Sequence, residues 1–443
     1  MDAVSLGCRW DSQYGAAGGR VIATIETLRR YERRTFKGDL VAGITTAIML
    51  VPQGMAYAML AGLDPIVGLY ASTIPVALYA FFGTSSALAV GPVALDSMLV
   101  AAAVAPIAAR EPSQVLTAAS LLALMVGAIQ FLMGAARLGA LARWVKRPVL
   151  SGFTTAAALL IAASQLGSLL GVTLPRSSHL HVLLGALVWA LPGTHAITVV
   201  VGAVAIMALL AMKRWTPRLP RFLVVVAVAV AVSWGVGLPF VGVDVVGAVP
   251  AGLPTLALPS VPTGLVLSLI PAALSIAVIG TVEVVAIGSH FARVRDEDLN
   301  VTRELLAIGV ANIGSGLFQG YPVAGGFSRS AVHAQAGSRT PLAGLVTAVL
   351  IALVLLVLTP VFGPLPKAVL AAIIVTAIAG LVDIGYAREL WRADRPRVLV
   401  WATTLVATLA LGMLWGLGLG LVSSLLVHLK WPRSGRLDAQ ATE

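Results

Sequence analysis

A helical protein that crosses a membrane many times is the fold class this 443-residue sequence predicts, and three observations predict it. Hydrophobic residues make up 58% of the chain and charged ones only 11%, well short of the roughly one quarter that gives a soluble domain its water-facing surface. The apolar residues run in stretches of about 20, the length that spans a bilayer as a helix. Lys and Arg fall between those stretches, almost all on one side. Glycine, which is enriched in membrane helices, contributes 44 residues. This composition excludes a soluble enzyme, a disordered chain and a disulfide scaffold. The one cysteine, Cys8, precedes the first apolar stretch, so neither a disulfide framework nor a cysteine metal site is expected.

Residues 1–35 are polar and arginine-rich with no apolar core, which is not the pattern of a cleavable signal peptide, and they read as a cytoplasmic segment. Pro, Gly and charge punctuation then places spans at 38–60, 66–84, 91–107, 115–137, 148–172, 195–213 and 221–238. A second set follows at 264–291, 301–319, 325–338, 341–359, 365–382, 396–413 and 414–430, about fourteen in all. The stretch 178–191 is short, carries His179 and His181, and reads as a helix lying in the interface. Residues 239–263 form an external connection and 431–443 a short cytoplasmic tail without a regulatory domain.

Basic residues test this layout. With the N-terminus inside, 26 of the 30 Lys and Arg face the cytoplasm, against Arg110, Arg176 and Lys367 outside, and only Arg329 lies within a span. That asymmetry is the positive-inside rule. The formal net charge of +11 is therefore topological, and no nucleic-acid partner is implied. The expected location is the cell membrane, with both termini cytoplasmic.

Fourteen spans divide into seven and seven, 36–238 and 264–430, and an odd number per half forces the halves into opposite orientations. Inverted repeats of this kind are common in secondary transporters, with the site at the midplane between broken helices. Val51-Pro52-Gln53-Gly54 puts a polar residue late in the first span, and Thr281-Val282-Glu283-Val284 does so in the eighth. Further along, each half has a Gly/Pro interruption: Val90-Gly91-Pro92-Val93, and Tyr321-Pro322-Val323-Ala324-Gly325-Gly326. Each interruption is expected to feed a half-helix that starts near mid-membrane. Such an N-terminus offers unpaired N–H groups and a partial positive charge, and two of them facing one another bind an anion. Gly91, Gly325 and Gly326 let an anion approach the backbone, Pro92 sits where its missing N–H is harmless, and Arg329 adds a full charge. The expected ligand is an anion.

The sequence resembles the SulP anion transporters, the family of sulfate permeases, pendrin and prestin. Phe36-Lys37-Gly38-Asp39-Leu40-Val41-Ala42-Gly43 leading into Val51-Pro52-Gln53-Gly54-Met55-Ala56-Tyr57-Ala58 is similar to that family's signature. Gly68-Leu69-Tyr70, Val90 to Ala94 and Gly326-Phe327-Ser328-Arg329-Ser330-Ala331-Val332 match further blocks in order, so the resemblance covers 36–430. It implies a core of spans one to four and eight to eleven, a gate of the rest, and elevator-like alternating access. It also implies that Gln53, the backbone of Gly91, Pro92 and Val93, Glu283, and the Phe327-Ser328-Arg329 region line the anion site. Members usually continue into a cytoplasmic sulfate-transporter/anti-sigma-antagonist domain. Asp96 departs from the family, which more often has an apolar residue there. Sodium-coupled members carry a threonine a turn after the acid, where this chain has Ile287, so sodium coupling is not expected.

Each residue also has a plainer reading. A carboxylate in a span marks function by default, so Glu283 and Asp96 are candidates for proton coupling. Alternatively Glu283 pairs with Arg329, and Asp96 is paired or faces water. Gln53 and Ser328 can be packing residues with ordinary interhelical bonds, the glycines can serve close packing, and Arg329 can be a structural counter-ion. His290 and His333 read as interfacial, no histidine pair has metal-ligand spacing, and Trp415 and Trp431 read as interface anchors. Asp296, Glu297 and Asp298 with Arg293 and Arg295 read as a solvated loop. No metalloprotease, phosphate-loop or Ser/His/Asp constellation is found, so no enzyme, catalytic residue or cofactor is expected. The chain reads as a secondary transporter of small anions such as sulfate, bicarbonate, chloride or dicarboxylates, by proton symport. An exchanger or channel-like conductor on the same fold is the alternative. The bilayer, the anion, a coupling proton and a second copy in a homodimer are the expected partners.

Overall fold

The structure, a computed structural model, describes residues 32–138, 146–175, 177, 179–216, 219–259, 263–295, 297, 299–393 and 395–430. Cys8 and the rest of the N-terminal segment to residue 31, the tail from Trp431, and Arg143, Arg176, Arg218, Asp296 and Asp298 lie outside them.

The first half of the chain forms α1 (Arg33–Ala61), α2 (Pro65–Tyr70), α3 (Ile74–Phe82), the two-residue strand β1 (Val90–Gly91), α4 (Ala94–Arg110), α5 (Val115–Ala135), α6 (Arg147–Leu170), α7 (Leu180–Ala190), α8 (Ala196–Trp215) and α9 (Arg221–Val236). The second half forms α10 (Thr263–Arg295), α11 (Val301–Leu317), β2 (Ala324–Gly325), α12 (Phe327–Gln335), α13 (Ala343–Leu353), α14 (Lys367–Ile378), α15 (Ile384–Ala393), α16 (Arg395–Leu411) and α17 (Met413–Lys430). Every expected span has a helical counterpart within a few residues. Among the described residues eight helical segments are long and apolar enough to cross a membrane. The second span is broken into α2 and α3, and the eleventh continues after α13 through a wider π turn, Val354–Leu358, and a tighter 3-10 turn, Thr359–Phe362.

Helices dominate because backbone polar groups in lipid must be satisfied within the segment itself. Their ends follow local chemistry. Pro65 and Pro148 open α2 and α6, where a missing N–H is harmless. Gly62, Gly171 and Gly237 close α1, α6 and α9 in the left-handed conformation. The Asn300 side chain accepts from Arg303 N and caps α11.

The helices sort into two bundles. In one, α5 and α11 cross closely, α3 packs on α11, α10 on α5, and α13 on α1. In the other, α6 packs with α14, α16 and α17, and α8 with α14. Helix α1 is the main seam, touching α14 and α9 of the second bundle. The α5–α11 crossing is a small-residue interface: a Cβ at Gly127 would lie 2.7 Å from Gly309 O, and one at Gly309 2.9 Å from Gly127 O. The helix α7, expected in the interface, buries only Leu183 and exposes Trp189. The connection 239–263 is pinned to the start of α14, where Val245 bridges Pro366 and Lys367 N donates to Asp244 O at 2.9 Å.

Two buried carboxylates tie the halves together. Glu304, at the start of α11, accepts from Tyr79 OH at 2.6 Å, Thr84 N at 2.7 Å, Ser85 N at 2.9 Å and Thr84 Oγ1. Asp39, on α1, accepts from Arg339 N at 2.7 Å, Thr340 N at 3.1 Å and Thr340 Oγ1. The loop after α10, expected to be solvated, is partly a tie of the same kind. Arg295 donates to Ser86 Oγ at 2.7 Å and to Ala334 O at 3.1 Å, while Ser86 Oγ donates to Glu297.

A methyl at Gly309 would also meet Phe131 N at 2.6 Å. Gly309→Ala should therefore destabilise the purified protein by about 1–3 kcal/mol, the usual consequence of overpacking. A thermal unfolding midpoint in detergent that does not move would contradict this tight crossing.

Candidate anion-binding site

Two extended arms lead to the site. The chain after α3 runs through β1 into α4, and the chain after α11 runs through β2 into α12. The strands pair antiparallel, Val90 with Gly325 and Gly91 with Ala324. Each arm would leave backbone groups orphaned in the membrane, and each supplies partners for the other. Gly326 N donates to Ala89 O at 3.2 Å, and Ala89 N donates to Ser330 Oγ at 3.0 Å. Asn312, fully buried on α11, holds Val323 from both sides: Val323 N donates to its Oδ1 at 2.7 Å, and its Nδ2 donates to Val323 O at 2.9 Å.

The two half-helices begin immediately beyond the pair, α4 at Ala94 after Val93 and α12 at Phe327 after Gly326, and neither has a side-chain cap. Their first N–H groups are thus left for another acceptor, with both dipole ends directed to the same region. Gly91 has φ +149°, a conformation that glycine adopts far more readily than other residues.

Arg329, buried in the first turn of α12, reaches across to the first arm. Its Nε donates to Ala89 O at 3.2 Å and its Nη1 to Pro92 O at 3.0 Å. Nη2 has no partner among the described residues. Two glycines approach it closely: a Cβ at Gly326 would lie 3.1 Å from Nη2 and one at Gly91 3.4 Å. The guanidinium therefore has two N–H groups fixed on carbonyls, and its third nitrogen, Nη2, is buried beside two glycines without a partner.

The other expected residues surround this point differently. Gln53 is buried on α1, one turn beyond Leu50, whose side chain lies 3.2 Å from a Cβ at Gly91. Pro92 and Val93 are buried between β1 and α4. Gly325 serves close packing, with Leu88 and Ile287 at 2.7 and 3.5 Å from its would-be Cβ. Phe327 and Ser328 are exposed. Phe327 stands in a ring cluster with His290 and Phe291, and Ser328 lines a cavity of about 280 Å³ shared with Thr45, Lys213 and Arg221 between the two bundles. Glu283, on α10, is half-buried and its Oε2 has no partner. Among the described residues no ion pair within 4.0 Å joins it to Arg329.

Asp96 is fully buried with neither oxygen partnered, so it is neither paired nor water-facing. His333 is buried as well, with Nδ1 2.7 Å from Thr46 Oγ1. Ser330, Asn312 and Gln130 were not singled out from the sequence. A polar amide inside an otherwise apolar stretch was the available signal for the last two. Among the described residues no His, Cys, Asp and Glu group could hold a metal ion.

Comparison with known proteins bears on the family and the fold. The sequence profile of the sulfate permease family matches residues 36–404. The chain is 39% identical over 401 residues to sulfate transporter 4.1, chloroplastic, of Arabidopsis thaliana, covering 89% of this chain and 58% of the relative. It thus spans less than two thirds of that relative's length. It is 36% identical over 406 residues to the probable sulfate transporter Rv1739c of Mycobacterium tuberculosis, covering 91% of this chain and 72% of the relative. Its fold is similar to that of murine solute carrier 26 family member A9, an anion transporter solved in the inward-facing state. The TM-score is 0.87 at 25% identity, with 95% of this chain and 74% of that one covered.

Ser330→Ala removes the acceptor of Ala89 N while leaving Arg329 in place. It should cost about 1–3 kcal/mol of stability, the desolvation penalty of an orphaned buried donor. Unfolding of the detergent-purified variant at the wild-type temperature would show that the N–H finds another acceptor.

Proposed function

The chain belongs to the sulfate permease family, and on that premise we propose that it is a secondary active transporter of small anions, working by proton symport. The observation that carries the reading is the Arg329 Nη2 group, buried, unpartnered and flanked by Gly91 and Gly326 where two uncapped half-helices begin. An anion there accepts from Nη2 and from the first N–H groups of α4 and α12. Those donors are held in place before it arrives, because the strand pair, Ser330 and Asn312 fix both arms. Gly91, Pro92 and Val93 shape one wall through their backbone, Gly325 and Gly326 the other, and Gln53 closes the site from α1.

The exposed Ser328 and Phe327 stand at the mouth on the side of the cavity that Lys213 and Arg221 line. By the distribution of basic residues that side is cytoplasmic, as are both termini, and the host is the cell membrane. The bundle of α1–α5 and α10–α13 acts as the core and the other helices as the gate. The core carries the anion past the gate in an elevator-like movement. Its interface with the gate is thinner than its own internal packing, which permits sliding without unfolding either bundle. A homodimer joined through the gate leaves the core free to move.

Glu283 and Asp96 are the proton-coupling groups. A carboxylate in a membrane interior is costly unless paired or neutralised, and neither of these is paired here. A proton that neutralises one of them also removes a negative charge from the neighbourhood of the bound anion. Binding of the anion and of the proton therefore favour each other, which is the thermodynamic basis of symport.

Uptake of labelled sulfate, bicarbonate, chloride and fumarate into proteoliposomes, with and without an inward proton gradient, tests the reading. One anion should enter saturably and faster with the gradient. Fast chloride flux that ignores the gradient would favour a channel or exchanger. Glu283→Gln should abolish the stimulation by the gradient, and stimulation that survives would remove Glu283 from the coupling path. Arg329→Ala should weaken anion binding about tenfold, as expected for a charge-assisted donor worth about 1.5 kcal/mol. An unchanged affinity in equilibrium binding would reduce Arg329 to a structural clamp.

A further inference from the structure

Asp96 has a neighbour that links it to the second half-helix. It sits in the first turn of α4 and faces α10 at Gly280, the one position there without a side chain to intervene. A Cβ at Gly280 would lie 3.8 Å from Asp96 Oδ2 and 3.1 Å from Gln130 Nε2. Gln130, fully buried on α5, is held unevenly. Its Nε2 reaches only Ala277 O, at 3.5 Å, the far limit of a hydrogen bond. Its Oε1 accepts from Asn312 Nδ2 at 2.8 Å. Asn312 in turn grips Val323 N and O, immediately before β2 and α12.

We propose that Gln130 is a positioning residue that transmits the charge on Asp96 to the strand feeding the second half-helix. The proposal rests on the proton-coupling reading above. When Asp96 is ionised, its unpartnered carboxylate draws the Nε2 donor away from the weak bond to Ala277 and across the space over Gly280. The same carboxamide carries Oε1 with it, and therefore Asn312 and Val323. The pairing of β2 with β1 shifts and the anion site loosens. When Asp96 takes up a proton the pull disappears, Nε2 returns to Ala277 O, and β2 resettles with its N–H groups aimed at the anion. Other charged or titratable groups face the same region. They are Glu283 one turn along α10, Tyr321 ahead of β2 with its hydroxyl 3.1 Å from Ser97 Oγ, and Arg329 on α12. None of them is bonded to Asp96 or to Gln130. Linkage is reciprocal, so the bound anion strengthens proton binding at Asp96 by the factor by which the proton strengthens anion binding.

Gly280→Ala is the discriminating variant. It keeps Asp96, Gln130, Glu283 and Arg329, and fills the space through which Nε2 must move with a methyl group whose only tight contact is the end of a flexible amide. Gln130→Met, close in size, removes the donor and the acceptor together. Equilibrium binding of labelled sulfate to the purified full chain, with bicarbonate, chloride and fumarate as parallel probes, is read at about pH 6 and about pH 8. The wild type should bind at least about fivefold more tightly at the lower pH, the small end of typical coupling. Both variants should bring that ratio below about twofold. A merely structural Gln130 would shift affinity equally at both pH values and leave the ratio intact. A wild type with a clear pH ratio, matched by both variants, overturns this inference and leaves proton coupling standing. A wild type with no pH ratio for any probe overturns proton coupling and this inference with it. Should Gln130→Met not fold, the ratio for Gly280→Ala decides alone.

Discussion

Two helices can begin in the middle of a membrane only if the extended chain that feeds them is fully hydrogen-bonded by protein. Lipid offers no substitute partner, and each orphaned group costs several kcal/mol. The strands β1 and β2 meet this constraint together, since each is two residues long and neither has another strand to pair with among the described residues. What the ladder leaves over is taken up by side chains from the opposite arm or from α11: Ser330 for Ala89, Asn312 for Val323, Arg329 for Ala89 and Pro92. The inverted repeat is therefore more than an architectural symmetry. Neither arm is chemically complete without the other.

The same constraint generates the electrostatics. Strand pairing consumes the N–H groups of the arms but not those of the first helical turns, so α4 and α12 present theirs without caps. Arg329 adds a full charge that is itself only partly consumed, because two of its N–H groups hold carbonyls. Positive potential is concentrated at one point, in a medium of low dielectric where it acts strongly. Carboxylates elsewhere in the core have a different fate. Asp39 and Glu304 accept several donors each and fasten one half of the chain to the other. Asp96 and Glu283, near the half-helices, have unpartnered oxygens.

Much of this was legible in the sequence, for a physical reason. Membrane helices announce themselves by composition, and the Gly91-Pro92 and Gly325-Gly326 interruptions mark where a helix cannot continue, so the fold class and the two half-helices followed from local chemistry. Arg329 was conspicuous because a lone charge in an apolar span has to be accounted for. Its partners were not legible, since the expected counter-ion, Glu283, lies on α10 while the observed ones are backbone carbonyls that carry no sequence signal. Ser330 was hidden for a related reason. Ser328 and Ser330 are both small and polar and flank the arginine, and only the helical phase of α12 turns one to the surface and the other onto Ala89. Asn312 and Gln130 act through a contact between residues 182 positions apart, which no local pattern encodes. Arg295 and Glu297 looked like part of a solvated charge cluster because their common partner, Ser86, meets them only when the two halves are brought together.

Charge arithmetic constrains what such a site can carry. A core that slides through a membrane interior moves most easily when its buried charges sum to zero, because an uncompensated charge in low dielectric is expensive. Among the groups around the half-helices, with Asp39 and Glu304 set apart by their own donors, Arg329 contributes one positive charge, and Asp96 and Glu283 at most one negative charge each. Without an anion, neutrality requires one carboxylate ionised and the other protonated. With a monovalent anion bound, it requires both to be protonated. On the proposed coupling, one proton would accompany each monovalent anion, and this region would be neutral in both crossings. A divalent anion leaves one net negative charge even with both carboxyls protonated, so it crosses only if the half-helix dipoles and the donors fixed around Nη2 offset that charge. On the proposed coupling, the single positive charge of Arg329, and not the number of carboxylates, favours a monovalent over a divalent substrate. By this count one titrating carboxylate suffices to neutralise the region in both states, and the second stays protonated throughout.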